Sequence, residues 1–308
     1  MSPIVVVMGD LPEWLPAWCA DNLGAEPERL LFHLRQTSHV FGLRLPGDRS
    51  VVVKSRADDG RAAACIAVPA RLAERGLPCA RPVTPVVAVG SLAVHAEENR
   101  AGGDLLRGDT PDVAACYAAV FARLMAELAD VDVPPSLPNP HWEHRDSGVW
   151  PDIGFLDAKD QSPVPGHVVE TADRARKRLR ATDLPCVLGH ADFEAQNLRW
   201  HGRDVWAVHD WDSLAWQPEA ALVGAACGAF ASAAHTTLVP IESSEAFLLT
   251  YQEIRGRAFT PEERQVGWAA SLWPAAHYAR VEAVYGDTPV SGRALRTQAA
   301  ERLRRANA

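Results

Sequence analysis

Two short stretches of this chain carry residue types suited to one kind of chemistry. The first, Gly189-His190-Ala191-Asp192-Phe193-Glu194-Ala195-Gln196-Asn197, reads H-x-D-x-x-x-x-N. The second, Val208-His209-Asp210-Trp211-Asp212, places an acid at the end of an apolar run, thirteen residues after the asparagine. Moving a phosphoryl group asks a protein for little covalent work and much careful placement of charge. One carboxylate must orient an acceptor hydroxyl and take its proton. A second carboxylate and an amide oxygen must hold magnesium against the triphosphate of ATP. Asp192, Asn197 and Asp210 supply this set, provided that the chain between Asn197 and Asp210 doubles back.

Lys54 is the second anchor. It ends the run Val51-Val52-Val53, which reads as a buried strand, and a lysine leaving a strand end can reach the α- and β-phosphates of a nucleotide. Only three of the 31 Lys and Arg residues are lysines: Lys54, Lys159 and Lys177. In a chain that otherwise chooses arginine, a retained lysine points to a role for a compact ammonium. The plain alternative is a snorkelling side chain.

These residues need elements to position them. The first third reads as β-rich: strands over Leu31–Arg35, Val40–Leu45 and Ser50–Lys54, with a turn at Gln36-Thr37-Ser38 and a tight hairpin at Pro46-Gly47-Asp48-Arg49. Arg61–Arg75 has helical spacing, carries Pro69 and stops at Gly76. Val86–Val94 reads as two short strands around Gly90, and Asp112–Leu128 as an amphipathic helix. A stretch rich in Pro, Asp and Trp, residues 131–166, connects to a basic helix over Thr171–Arg180 with a solvated face. The remainder reads as helical, apart from a hairpin between Asn197 and Asp210. The expected fold class is α+β and bilobal, with a β-rich lobe over residues 1–97 and a larger, mostly helical lobe over 98–308.

The Asp-to-Asn interval is that of the protein-kinase catalytic loop, but the arginine of H-R-D and a following D-F-G are missing. H-A-D-x-x-x-x-N with V-H-D-W-D instead resembles the aminoglycoside phosphotransferase and choline kinase branch of the protein-kinase-like fold. The resemblance is sharpest over residues 188–224 and looser over the whole chain. It implies that Asp192 is the catalytic base, that Asn197 and Asp210 bind the metal, that His190 braces the loop, and that Lys54 binds ATP. It also implies a phosphate-covering turn where Ser38 stands and an adenine-reading hinge at His95-Ala96-Glu97-Glu98. Three departures accompany it. No G-x-G-x-x-G lies between Leu31 and Lys54. The early helix carries Cys65, Ile66, Ala67 and Val68 where an acid that orients the lysine is expected, and Glu74 is the sole acid of that helix. Ala221 stands where a second, structural aspartate is usual.

On the acceptor side, Trp211 and Trp216 follow the metal aspartate closely, and Asp212 and Glu194 flank the reacting groups. Aromatic faces suit sugars and cations. The expected acceptor is a small molecule, sugar-like or cationic, and an antibiotic-inactivating and a sugar-metabolic role are both open. A formal net charge of -8 argues against a nucleic-acid or membrane partner. Six cysteines without a CxxC pair read as buried thiols of a cytoplasmic protein. The residue types leave two other readings: a nucleotide-binding regulatory protein without transfer, and a metal-dependent hydrolase built on His190, Asp192, His209 and Asp210. Oligomeric state is not encoded in these patterns.

Overall fold

The structure is a computed structural model and describes residues 11–35, 38–133, 137–140, 148–231 and 238–308. The N-terminal apolar run Ile4–Met8, and Gln36 and Thr37 of the turn expected to cover phosphates, lie outside the described residues. Two compact units separate: one reaches to Gly102 and takes back Val131–Pro138, the other comprises Gly103–Asp130 and Asn139–Ala308. The division therefore falls five residues after the expected 97/98 boundary, and a later segment returns to the first unit.

The first unit is built on an antiparallel sheet in the order β1-β2-β3-β5-β4. Its strands are β1 (Arg29–Arg35), β2 (His39–Leu45), β3 (Arg49–Ala57), β4 (Val87–Val89) and β5 (Leu92–Glu98). Side chains alternate between the faces of a strand. One face gathers Phe41, Leu43, Leu45, Val51, Val53, Val94 and Ala96, and helix α1 (Trp14–Leu23) lays Leu15, Trp18, Cys19 and Leu23 upon it. The opposite face carries Val52, Lys54, His95 and Glu97. Helix α1 was hidden by Pro12 and Pro16. Pro16 sits in the first turn, where a missing N–H costs nothing. β3 runs on to Ala57 in unbroken register with β5, so Lys54 lies within a strand and not at its end. Helix α2 (Ala62–Glu74) holds Pro69 inside it, as its sequence predicts.

The second unit is mainly helical: α3 (Pro111–Leu128), the short α4 (Gly154–Asp157), α5 (Gly166–Arg180), α6 (Glu219–Ala229), α7 (Ile241–Arg255), α8 (Pro261–Tyr285) and α9 (Val290–Ala306). Two small ladders interrupt it. β6 (Cys186–His190) pairs with β9 (Leu214–Pro218), and β7 (Leu198–His201) pairs with β8 (Asp204–Val208). The β7–β8 hairpin is the one that the sequence predicts, whereas the β6–β9 pair is not anticipated there. The small-apolar run that begins at Ala220 is α6, and its composition follows from its neighbour. A Cβ on Gly224 would lie 2.2 Å from the Gly267 carbonyl oxygen, so α6 and α8 meet backbone to backbone. No described helix is long and apolar enough to cross a membrane.

Candidate active site

The reacting loops are hung between the two small ladders. At one end His190 pairs with Leu214, and the Ala191 N–H donates to the Ser213 carbonyl at 2.8 Å. At the other end Leu198 pairs with Val208, and the His209 N–H donates to the Asn197 carbonyl at 2.8 Å. Residues 192–196 and 210–212 thus span the same two anchor points. That is why an interval of thirteen residues brings Asn197 and Asp210 to one place.

Within this frame Asn197 is 9% exposed, and its side-chain NH2 donates to the Asp192 backbone carbonyl and to Asp192 Oδ2, both at 2.8 Å. Its amide oxygen is left as the acceptor. Asp192 is half-buried, and loss of hydration pushes its carboxyl above the usual range, against the bonds from Asn197 and from the Asp210 carboxyl. Two carboxyls within hydrogen-bond reach of each other are favoured by a shared proton or a bound cation. Asp210 holds its place at φ 63°, a left-handed conformation that aspartate tolerates, and accepts from Ser213 Oγ at 3.3 Å. Asp212 is half-buried in the turn that follows.

His190 is 1% exposed and ties the two loops together. Its Nε2 meets the His209 carbonyl at 2.9 Å, and its Nδ1 accepts from the Asp192 N–H at 3.3 Å. With a carbonyl on one nitrogen and an N–H on the other, the tautomer is fixed with the proton on Nε2. Trp211 and Phe193 stand edge-on to the imidazole, at 5.5 and 6.2 Å between ring centres. This corrects the expectation that Trp211 offers a face to an acceptor. It is 3% exposed and its indole N–H donates to the Val208 carbonyl at 3.0 Å, so it packs behind His190. Trp216 is half-buried on β9, where the Asn139 side chain bonds both its N–H and its carbonyl.

Glu194 is 6% exposed. Its Oε2 accepts from the Tyr278 hydroxyl at 2.9 Å and from the Gln196 amide. Burial first, then the Asp192 carboxylate, pushes its carboxyl up to about 8. Tyr278 lies on α8, far along the chain, and spacing alone gave no sign of it. Its neighbour His277 is pushed down to about 4, chiefly by burial and then by Arg280.

In the first unit Lys54 Nζ lies 2.9 Å from Glu97 Oε1, and each side chain is 12% exposed. Lys54 pairs in register with His95 and Val52 with Glu97, so all four share one face of the sheet. His95 Nε2 is 3.8 Å from Glu97 Oε2. Burial alone would raise the Glu97 carboxyl, but the Lys54 ammonium and His95 outweigh it and hold the group at about 2. Glu97 had been expected for hinge backbone groups only. Glu74 is exposed at the last turn of α2. Ser38 is half-buried just ahead of β2. Nearby, His33 stacks on His39 and on Phe41, and His33 Nε2 lies 3.1 Å from His39 Nδ1.

Among the described residues no group of three or more His, Cys, Asp and Glu side chains gathers to hold a metal. Both nitrogens of His190 are already committed to backbone, which removes the ligand that a zinc-type hydrolase would need. Asp192, Asp210 and the Asn197 amide instead form an all-oxygen set, which fits a hard cation whose remaining ligands come from water and phosphate.

The family model of the phosphotransferase enzyme family (APH) matches residues 34–282. No curated protein matches. Among solved structures, amicoumacin kinase hAmiN in complex with AMP-PNP, Ca2+ and Ami aligns with a TM-score of 0.65 at 12% identity, covering 91% of this chain and 89% of that one. A thermostable mutant of aminoglycoside phosphotransferase APH(4)-Ia, in ternary complex with ADP and hygromycin B, aligns at 0.57 and 14% identity over 96% and 99% of the two chains. An aminoglycoside phosphotransferase from Alicyclobacillus acidocaldarius aligns at 0.56 and 12% identity over 97% and 94%. At such identities the likeness establishes the fold: a small antiparallel lobe followed by a larger helical part.

Proposed function

This chain belongs to the phosphotransferase enzyme family, and we propose that it transfers the γ-phosphoryl group of ATP to a hydroxyl of a small acceptor that is sugar-like, amine-bearing or both. The observation that carries this reading is the bonded set Asp192–Asn197–Asp210, clamped from behind by His190. Asp192 takes the proton of the acceptor hydroxyl as that oxygen bonds to phosphorus and the bridging oxygen leaves with ADP. A partly desolvated carboxyl raised above its ordinary value is a stronger base than a fully solvated one, which suits the task. Asn197 keeps Asp192 aimed through its NH2. His190 keeps the two loops in step through backbone bonds at both nitrogens.

The amide oxygen of Asn197 and the carboxylate of Asp210 would hold magnesium, which when bound neutralises charge on the phosphates. Lys54 would meet the α- and β-phosphates, and Ser38 would stand beside the phosphate turn. Glu194, Asp212 and Trp216 are assigned to the acceptor side, with Tyr278 added because it fixes the Glu194 carboxyl. The AMP-PNP and ADP bound in the structural relatives, beside Ami in one and hygromycin B in the other, support the same pairing of nucleotide and small acceptor.

The test is ADP release measured across aminoglycosides, amino sugars and simple sugars, with and without magnesium. Acceptor-dependent and magnesium-dependent release is expected. ATP binding without release across the whole panel would favour a regulatory nucleotide-binding role. Turnover of a substrate without any nucleotide would favour a hydrolase.

A further inference from the structure

We infer that Glu97 is the positioning residue for Lys54: the acid that orients the nucleotide lysine comes from the neighbouring strand and not from the helix. The inference rests on the nucleotide role proposed above for Lys54. Helix α2 has Cys65, Ile66, Ala67 and Val68 in its early turns, and its one acid, Glu74, is exposed at the far end. The ammonium of Lys54 instead meets Glu97 Oε1 at 2.9 Å, with both side chains almost withdrawn from water. His95, 4% exposed, stands at 3.8 Å from the other carboxylate oxygen and confines it.

The consequence is mechanical. An acid on a helix reaches a lysine only when that helix is docked in the right place. Here both partners sit in one sheet, locked by seven consecutive pairs from Val51↔Glu98 to Ala57↔Leu92, with no bulge. A slip of one residue would turn one of the two side chains to the opposite face. The pair is therefore set by backbone register, and α2 has no part in it. Desolvation on this face strengthens the attraction, and the Glu97 carboxyl stays ionised far below neutrality.

Because the chain has only three lysines, a sample labelled at lysine Cε gives three signals. Lys54→Arg identifies the one from Lys54. Glu97→Gln is expected to move that signal and leave those of Lys159 and Lys177 in place, while Glu74→Gln moves none. In turnover, Glu97→Gln should raise the KM for ATP about tenfold or more and leave the acceptor KM unchanged, and Glu97→Asp should recover part of the loss. A Lys54 signal indifferent to Glu97→Gln, or responsive to Glu74→Gln, overturns the inference. Mg–AMP-PNP added to the unaltered protein keeps the two readings apart. If it moves the Lys54 signal while Glu97→Gln does not, the nucleotide role stands and the inference fails. If Glu97→Gln moves the signal but the nucleotide does not, the nucleotide role fails and the pair is sheet packing only. Should Glu97→Gln not fold, Glu97→Asp carries the same readout.

Discussion

Two glutamates of this protein that are largely withdrawn from water have opposite electrostatic fates. Glu97, on the sheet of the first unit, lies against Lys54 and is held at about 2. Glu194, beside the reacting loop of the second unit, is raised to about 8. Both lose hydration, and Glu97 lies within ion-pair distance of a lysine. Other acids of the second unit follow the first pattern. Glu219 has Arg255 and Arg257, Glu263 has Arg257, and Asp157 has Arg280. Glu194 instead bonds a tyrosine and an amide. Asp192, Glu194 and Asp210 gather three acids around one loop, a concentration of negative charge that would attract a cationic ligand. On the sheet face of Lys54 and Glu97 the two charges are already matched before anything binds.

The hardest blow to this contrast is struck at the uncompensated side. Asp192→Ala and Asp210→Ala should each lower kcat by about a thousand- to ten-thousandfold. Both side chains are half-buried and lie outside the apolar core, so the thermal midpoint should shift by no more than about 5 °C. Turnover within tenfold of the unaltered enzyme, from steady-state ADP release, would remove both residues from the chemistry.

Glu194→Gln tests the same imbalance through stability. The folded-state pKa of Glu194, about 8, stands above its ordinary 4.5. A raised acid contributes stability that is fully present below about pH 4.5 and lost as pH rises toward 8. Glutamine cannot ionise, so the variant should match the unaltered protein near pH 4.5 and exceed it above pH 8, by up to about 5 kcal/mol. Urea melts at the two ends of that window decide it. A constant difference across the window would mean that Glu194 already has its counter-charge.

How much of this could be read from the sequence depended on the distance over which each feature is made. Asp192, Asn197 and Asp210 are legible because one loop and one hairpin build the set, and the turn His201-Gly202-Arg203-Asp204 announces that hairpin. The strands β1 to β3 were legible from alternation and from Gly47 and Asp48 in their turn. The β6–β9 ladder was not, because its two halves are short, apolar and separated by the very loops they hold. The role of Trp211 was misjudged for the same reason: a residue next to Asp210 faces inward when a second ladder closes behind it. The Lys54–Glu97 pair spans two strands with α2 and β4 between them in sequence, and a helix acid was the natural expectation. Tyr278 reaches Glu194 from a distant helix, and no local pattern encodes that contact.

The compensated side should respond more mildly and with the opposite pH dependence. The folded-state pKa of Glu97, about 2, lies below its ordinary 4.5, so its contribution is present above pH 4.5 and fades as pH falls toward 2. Glu97→Gln should therefore cost on the order of 2–3 kcal/mol at neutral pH, with the gap to the unaltered protein narrowing below about pH 4.5. A gap that widens in acid would show that burial and not Lys54 governs this carboxyl.

The smallest expected effect is the most discriminating. Glu74 is exposed at the end of α2. Exposed helix-end charges contribute a few tenths of a kcal/mol at most, and a negative charge at a helix C-terminus is mildly unfavourable. Glu74→Gln should thus leave stability within about 0.5 kcal/mol and the KM for ATP unaltered. If Glu74→Gln weakened ATP use as much as Glu97→Gln does, the helix would be sharing in the control of Lys54. The nucleotide face would then depend on how α2 is docked, and the contrast between a pre-matched face and a ligand-completed loop would lose its first half.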